Sequence, residues 1–174
     1  MALSNENICV DLETLSTRSN AVIVTLAAVR FDLKTDEQEI FCVNINPVEG
    51  KKLGLHISQD TLDWWMKQPP EAVKAWQHSR IGITEALTQF NEWCGETKDT
   101  NFWCNGTNFD FPVLESSYEV VDMKEPWRYF NLMDMRTIYK VAKLDFKKFP
   151  RVGQHHNAVD DCRTQIAALK ACMG

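Results

Sequence analysis

The interpretation of the whole sequence depends on the stretch Ile8–Thr14, which has the sequence ICVDLET. Three apolar residues lead into Asp11, and a second acid, Glu13, follows two positions later. Residues i and i+2 of a strand project from the same face, so the two carboxylates are expected to lie side by side. Neighbouring carboxylates repel each other unless a cation lies between them. The stretch therefore predicts either a divalent-metal site at the end of an apolar strand or a strand that runs out into a solvated acidic turn.

Length and composition are typical of one globular domain. The chain has 174 residues, 44% of them hydrophobic, so residues 1–174 are predicted to form a single domain with a sizeable core. The formal net charge of −5 provides no broad cationic surface, which argues against a protein that wraps a long duplex. An enzyme that handles one strand end through bound metal is compatible with this charge.

The chain is expected to be cytoplasmic, without membrane association. Its first residues, MALSNEN, lack the basic start and apolar core of a signal peptide. The longest apolar stretch, at about 21–29, is too short to span a bilayer. The six cysteines show no C-x-x-C pair and no zinc-like spacing, so they are expected to be reduced.

Strand-like segments come first in the chain and helical segments follow. Apolar, β-branched runs at 6–12, 21–31 and 39–45 are close enough in sequence to predict an antiparallel meander. Helices are predicted at 59–66, 71–78, 84–95, from about 110, at 134–144 and at 157–173, with a short fourth strand at 101–104. This order predicts an α/β domain whose mixed central sheet, antiparallel in its first three strands, is flanked by helices.

Two further places carry acids beside apolar residues. Asp110 follows the strand at 101–104 and is flanked by two phenylalanines, so it is either a poorly hydrated ligand or a helix cap. In the final helix, Asp161 falls at the edge of the apolar face, whereas Asp160 falls nearly opposite and is expected to be a surface charge. His156 lies just before this helix and is expected to reach the same cleft as Asp161.

Taken in order, these residues resemble a known family. Asp11-x-Glu13, then Asp110 in NGTNFD, then His156-x-Ala158-x-x-Asp161 is similar to the motif set of the DEDDh exonucleases. These are ribonuclease H-like 3′→5′ exonucleases that include ribonuclease T, oligoribonuclease and polymerase proofreading domains. Gly106 stands where many members place an Asn, and with LDWW at 62–65 and DMRT at 134–137 this resembles a small bacterial and phage branch that includes mycobacterial-type exoribonucleases.

The resemblance implies a ribonuclease H-like fold and a two-metal hydrolase. Two divalent ions, Mg²⁺ or Mn²⁺, would be held by four acids, Asp11, Glu13, Asp110 and Asp161, and His156 would act as the general base. The products would be nucleoside 5′-monophosphates, released one at a time from the 3′ end of single-stranded RNA or DNA. The backbone at Thr14 and Leu15 would line the place of the terminal nucleotide.

Other substrate contacts and the class of protein stay open at this point. Asn105 is a candidate contact, and Trp64, Trp65 and Phe111 are candidate stacking platforms, although tryptophans at helical spacing are more often core residues. A basic loop at 147–151 either meets backbone phosphates or is simply solvated. The alternatives are an endonucleolytic relative and a catalytically silent nucleic-acid-binding module or polymerase-associated subunit on the same fold. Homodimer formation is a further expectation from the resemblance, and neither RNA nor DNA is favoured.

Overall fold

The computed structural model describes residues 6–174, in which one mixed sheet is flanked by helices. Its six strands are β1 (Asn7–Thr14), β2 (Ile23–Phe31), β3 (Gln38–Ile45), β4 (Arg80–Ile81), β5 (Asn101–Cys104) and β6 (Leu132–Asp134). The seven α-helices of the same region are α1 (Pro47–Lys52), α2 (Gln59–Trp65), α3 (Pro70–Ala75), α4 (Ile83–Cys94), α5 (Asp110–Val120), α6 (Met135–Val141) and α7 (Ala158–Met173).

The strand order is β4-β3-β2-β1-β5-β6, which places β1 in the interior of the sheet. β1 pairs antiparallel with β2, and β2 pairs antiparallel with β3, so the predicted meander is confirmed. β1 also pairs in parallel with β5, and β5 with β6. A parallel arrangement brings the carboxyl ends of β1 and β5 to the same edge of the sheet, where Asp11, Glu13 and the segment leading to Asp110 lie.

Alternate residues of β1 face two different layers of the core. Ile8 and Val10 pack with side chains of α4 and α5, in a cluster that contains the fully buried Phe90. Cys9 faces the other way and packs in the cluster that contains Ile166 and other side chains of α7. Because the side-chain period of a strand is two residues, Asp11 and Glu13 continue the face that Cys9 begins, which is the face that α7 covers.

The sequence missed three short elements and misplaced some boundaries. β4, β6 and α1 were not predicted, and the strand at 101–104 is the fifth along the chain rather than the fourth. Strands of two or three residues are too short to carry a period-2 pattern, and α1 contains Gly50 and begins at a proline. β1 extends to Thr14, and the helices predicted at 71–78 and 134–144 end earlier, at Ala75 and Val141.

Asp134 caps a helix, as its position at the start of the helix predicted at 134–144 suggests. Its side chain accepts a hydrogen bond from the backbone N–H of Arg136 at 3.2 Å and so caps the start of α6.

Within residues 6–174, no helix combines the length and the apolarity that crossing a bilayer demands.

Replacing Phe90 with alanine tests the α4 side of the core. Phe90 is 0% exposed, and its ring is tilted by 48° against that of Phe41, with 5.5 Å between ring centroids. We expect the loss of the ring to lower the free energy of unfolding by about 3–5 kcal/mol, measured by urea denaturation. Phe130→Ala is the matched control, because Phe130 is 58% exposed, and its effect should stay within about 0.5 kcal/mol.

Candidate active site

Three carboxylates converge at the carboxyl end of β1. Asp11, Glu13 and Asp161 each offer one oxygen, and these oxygens all lie within 4.8 Å of one another. The first two project from one face of β1, and Asp161 lies in the first turn of α7, which packs on that face. Such a group of oxygen ligands can hold a hard divalent cation.

Asp110 lies next to these three acids, at the first position of α5. It is 8% exposed, and its negative charge helps to raise the pKa of Asp11. Hydrogen bonds from the backbone of Leu12 and of Asp110 itself partly offset the cost of burying its carboxylate. The structure therefore brings all four predicted acids to one place, and Asp110 is not the residue that caps α5, since Phe109 holds that position.

The acids are held in an environment that disfavours their charged forms. Burial, followed by repulsion from Asp110, Asp161 and Glu13, raises the pKa of Asp11 well above its ordinary value. Burial and the charges of Asp161 and Asp110 raise the pKa of Glu13 to about 8. Burial also raises the pKa of Asp110 to about 7. A bound cation would remove this penalty, because opposite charge favours the ionised form.

Two side chains partly offset the negative charge of the acid cluster. Gln165, four residues after Asp161 on α7, donates from Nε2 to Oδ1 of Asp11 at 2.8 Å. The guanidinium of Arg151 forms a salt bridge with Asp161, and the two side chains are only 24% and 17% exposed. The sequence predicts that the loop containing Arg151 either contacts phosphates or is solvated, but in the structure Arg151 pairs with Asp161 of the acid cluster.

His156 reaches the cluster from the loop before α7. Its ring lies edge-on to Trp64, with 4.9 Å between centroids and an interplanar angle of 90°. It lines a small cavity of about 80 Å³ together with Glu13. Partial burial lowers the pKa of His156 below its ordinary value, which keeps the imidazole neutral and able to accept a proton near pH 7.

Asp160 holds the loop that carries His156, so the expectation of a surface charge was wrong. Its Oδ2 accepts a hydrogen bond from the backbone N–H of Gln154 at 2.9 Å, and its side chain is 19% exposed. The same carboxylate lies against Gly153, where a Cβ would overlap it, and the φ of Gly153 is +67°. Glycine is therefore required here by both space and backbone conformation.

A cleft of about 440 Å³ adjoins the acids on the α2 side. The cleft is lined by the end of β1, the loop that follows, α2 with the residue before it, and the residue before α5. These residues are Leu12, Glu13, Thr14, Ser16, Thr17, Ser58, Asp60, Thr61, Trp64, Trp65 and Phe109. Trp64 is 41% exposed and offers its ring to the cleft. Trp65 is 3% exposed and donates from Nε1 to the backbone oxygen of Thr14 at 2.9 Å, so it supports the cleft wall from behind.

Some predicted substrate contacts lie elsewhere. Phe111 is 1% exposed and packs on Trp127 at 5.3 Å between centroids, so it offers no face to a base. The side chain of Leu15 is buried in the cluster beneath α2, and the prediction for the Leu15 backbone stays a prediction. Asn105 lines a different pocket, next to α6. The sequence missed Phe109 and Gln165, although the i, i+4 spacing of Gln165 from Asp161 places both on one helix face.

A family model now identifies the chain. The model of the 3′-5′ exoribonuclease Rv2179c-like domain matches residues 6–173. The chain belongs to this family. The Rv2179c-like chain is accordingly a 3′→5′ exonuclease, and both the resemblance and the enzyme class predicted from its sequence are confirmed.

A relative from a phage supports the same class. The exodeoxyribonuclease of Enterobacteria phage T4 is 24% identical over an alignment that covers 92% of this chain and 86% of the relative. The family description names an exoribonuclease, and the phage relative is named for DNA.

Solved structures of nucleases share the fold at low sequence identity. The nuclease domain of 3′hExo, a DEDDh family member solved bound to rAMP, has a TM-score of 0.65 at 12% identity, and the match covers 99% of this chain and 94% of that one. S. pombe Pop2p, solved with Mg²⁺ and Mn²⁺, has a TM-score of 0.60 at 11% identity, with 95% and 81% covered. Cell-death related nuclease 4 has a TM-score of 0.62 at 16% identity; the match covers 97% of this chain, which spans 64% of the length of that nuclease. The predicted ribonuclease H-like α/β fold is confirmed.

The raised pKa values predict how the stability of the metal-free protein depends on pH. Between the ordinary pKa of Glu13, 4.5, and its folded value of about 8, the folded state holds a proton that the unfolded chain has released. Raising the pH through this window therefore favours unfolding, and we expect the melting temperature in EDTA to fall from about pH 5 to about pH 8.

Glu13→Gln should make this fall shallower, because an amide releases no proton. Glu115→Gln, on the exposed side of α5, is the control and should leave the slope unchanged. A melting temperature that rises over the same window would contradict the electrostatic account of the site.

Proposed function

We propose that this 3′→5′ exonuclease removes nucleoside 5′-monophosphates one at a time from the 3′ end of single-stranded RNA or DNA. The observation that carries the proposal is the convergence of Asp11, Glu13 and Asp161, whose oxygens lie within 4.8 Å of one another. His156 lines a cavity with Glu13, and a cleft large enough for part of a nucleotide opens beside the acids. Together these features supply a cation site, a base and a place for the strand end.

The acids fit divalent metal, and we propose Mg²⁺ or Mn²⁺ in two positions. All-oxygen donors match hard cations, and burial raises the pKa values of Glu13 and Asp110 despite the opposing charges of Arg151 and Arg136, so a further cation would stabilise the ionised acids. Asp11, Glu13, Asp110 and Asp161 would hold the ions. Bound in this way, divalent cations would stabilise the charge that develops on the attacking and leaving oxygens of a phosphodiester.

His156 is proposed to take the proton of the attacking water. The oxygen of that water forms a bond to phosphorus, and the bond from phosphorus to the 3′ oxygen of the preceding nucleotide breaks. The leaving 3′ oxygen ends as a hydroxyl, and the released nucleotide keeps its 5′ phosphate. The edge-on contact with Trp64 fixes the imidazole, and partial burial keeps it neutral before the reaction.

The cleft is proposed to hold the 3′-terminal nucleotide. Trp64 presents an exposed aromatic ring, and aromatic rings stack on any base without sequence preference. The hydroxyl of Thr14 donates to the backbone oxygen of Ser16 at 2.7 Å, so the loop behind the nucleotide is held by its own hydrogen bonds. The placement of the terminal nucleotide by the backbone near Thr14 and Leu15 stays a prediction, as do homodimer formation and a cytoplasmic location.

Metal binding should stabilise the folded protein. At about a hundredfold excess over its dissociation constant, Mn²⁺ should raise the melting temperature by about 5–10 °C in a thermal scan. Asp11→Asn should abolish most of this rise, because it removes a central carboxylate. Asp99→Asn, an exposed acid outside the cluster, should retain it. A rise that survives Asp11→Asn would show that the ion binds elsewhere.

Cleavage is tested with 5′-labelled single-stranded RNA and DNA, with Mg²⁺, Mn²⁺ or EDTA. We expect a ladder that shortens from the 3′ end, is lost in EDTA and is lost in Asp11→Asn. His156→Ala should lower the rate about 10²–10⁴-fold, the contribution typical of a general base. The rates on the two substrates measure the preference for RNA or DNA.

His155→Ala is the matched control for His156, because the two histidines are adjacent and His155 is exposed. Its rate should remain within about twofold of wild type. A His156→Ala protein as active as wild type would remove His156 from the role of base. If the wild-type protein binds both RNA and DNA but cleaves neither, that result would support the alternative of a silent binding module.

A further inference from the structure

A second pocket lies outside the site described above, between α6 and the end of β5. It has a volume of about 410 Å³, and Arg136, Lys140 and Lys147 contribute to its lining. We call it the basic pocket. It shares no lining residue with the cleft that adjoins Trp64.

The charge of this pocket is opposite to that of the whole chain. Three cationic side chains face one acid, Asp145, in a protein whose formal net charge is −5. Asp145 already has partners: its carboxylate accepts from the backbone N–H of Lys147 at 3.2 Å and pairs with Lys148 at 3.3 Å. The pocket therefore offers positive charge to an anion from outside.

Arg136 links the basic pocket to the acid cluster. Its guanidinium lies over Gly106, so close that a Cβ at Gly106 would stand 3.0 Å from it, and the φ of Gly106 is +112°. The backbone oxygen of Gly106 in turn accepts a hydrogen bond at 3.2 Å from the N–H of Phe109, the residue before Asp110. An anion in the pocket would consequently lie next to the place where a phosphodiester is cleaved.

The wall of the pocket suits a nucleic-acid strand rather than a small inorganic ion. Tyr139 and Phe146 stack with 4.9 Å between centroids and an interplanar angle of 6°, which gives the pocket a rigid aromatic wall.

We propose that the basic pocket binds the phosphodiester backbone of the substrate strand on the 5′ side of the scissile bond. Lys140 and Lys147 contact phosphates, and Arg136 contacts the phosphate nearest the acids. This inference rests on the proposed function: with the terminal nucleotide in the cleft, the remainder of the strand leaves the acids past Gly106 and Arg136.

The test compares substrates that reach the pocket with one that does not. Lys140→Ala/Lys147→Ala is measured for binding to a single strand of about twelve nucleotides in EDTA, by fluorescence anisotropy at several salt concentrations between about 50 and 200 mM. Each lost phosphate contact makes the dependence of log K on log salt shallower by about 0.7, so the double variant should lose about 1.4. Hydrolysis of a dinucleotide without a 5′ phosphate should stay within about twofold of wild type with Mg²⁺, because its single phosphate is the one that is cleaved and none is left for Lys140 and Lys147 to contact.

Two matched variants complete the design. Lys51→Ala/Lys52→Ala removes the same charge from exposed positions on α1 and should leave the salt slope at the wild-type value. Lys140→Arg/Lys147→Arg keeps the charge and should restore the slope. A double-alanine slope equal to that of the α1 control would overturn the proposal, as would an equal loss of dinucleotide hydrolysis. A wild-type protein that cleaves no substrate would instead overturn the proposed function, and the salt slope would still decide the pocket.

Discussion

Repulsion among carboxylates in a poorly hydrated place is the constraint on which the rest of this structure depends. Asp11 cannot withdraw from its neighbours, because it lies on an interior strand whose register is fixed by pairing on both sides. Gln165 donates a hydrogen bond to Asp11, and Arg151 forms a salt bridge with Asp161. These contacts compensate the cluster only in part, which is the electrostatic reason why a divalent cation fits there. The hydrophobic layers on both faces of the sheet supply the stability that offsets the remaining cost.

The sequence predicted what depends on local periodicity and on ordered motifs. The alternation around Asp11 and Glu13 correctly placed both acids on one face, and helical periodicity correctly favoured Asp161 over Asp160 for the cluster. It failed where the outcome depends on contacts between distant segments. Nothing local shows that Asp160 will bind the backbone of Gln154, or that Phe111 will turn into the core while Phe109 lines the cleft. The short strands β4 and β6 exist because a neighbouring strand was available for pairing, and a short segment does not carry that information.

The two sides of the acid cluster have different chemical character. On the α2 side, the cleft combines an exposed indole with hydroxyl groups and is suited to a sugar and a base. On the α6 side, the basic pocket is suited to phosphate. In the proposed arrangement, the end of a strand and its continuing backbone would meet these two different surfaces. The positive charge of the basic pocket would then serve a nucleic-acid strand although the protein as a whole is acidic.

The hydrogen bond from Gln165 to Asp11 joins residues 154 positions apart, and a similarly long stretch of chain separates Asp11 and Glu13 on β1 from Asp161 on α7. The site is therefore assembled from the two ends of the described chain, and it forms only when α7 packs on the sheet. Translation at about 5–20 residues per second needs roughly 8–30 s to make the intervening segment. Throughout that interval the growing polypeptide, held beside its own messenger RNA, carries Asp11 and Glu13 but lacks Asp161. The topology thus delays the assembly of a hydrolytic centre until α7 has been made.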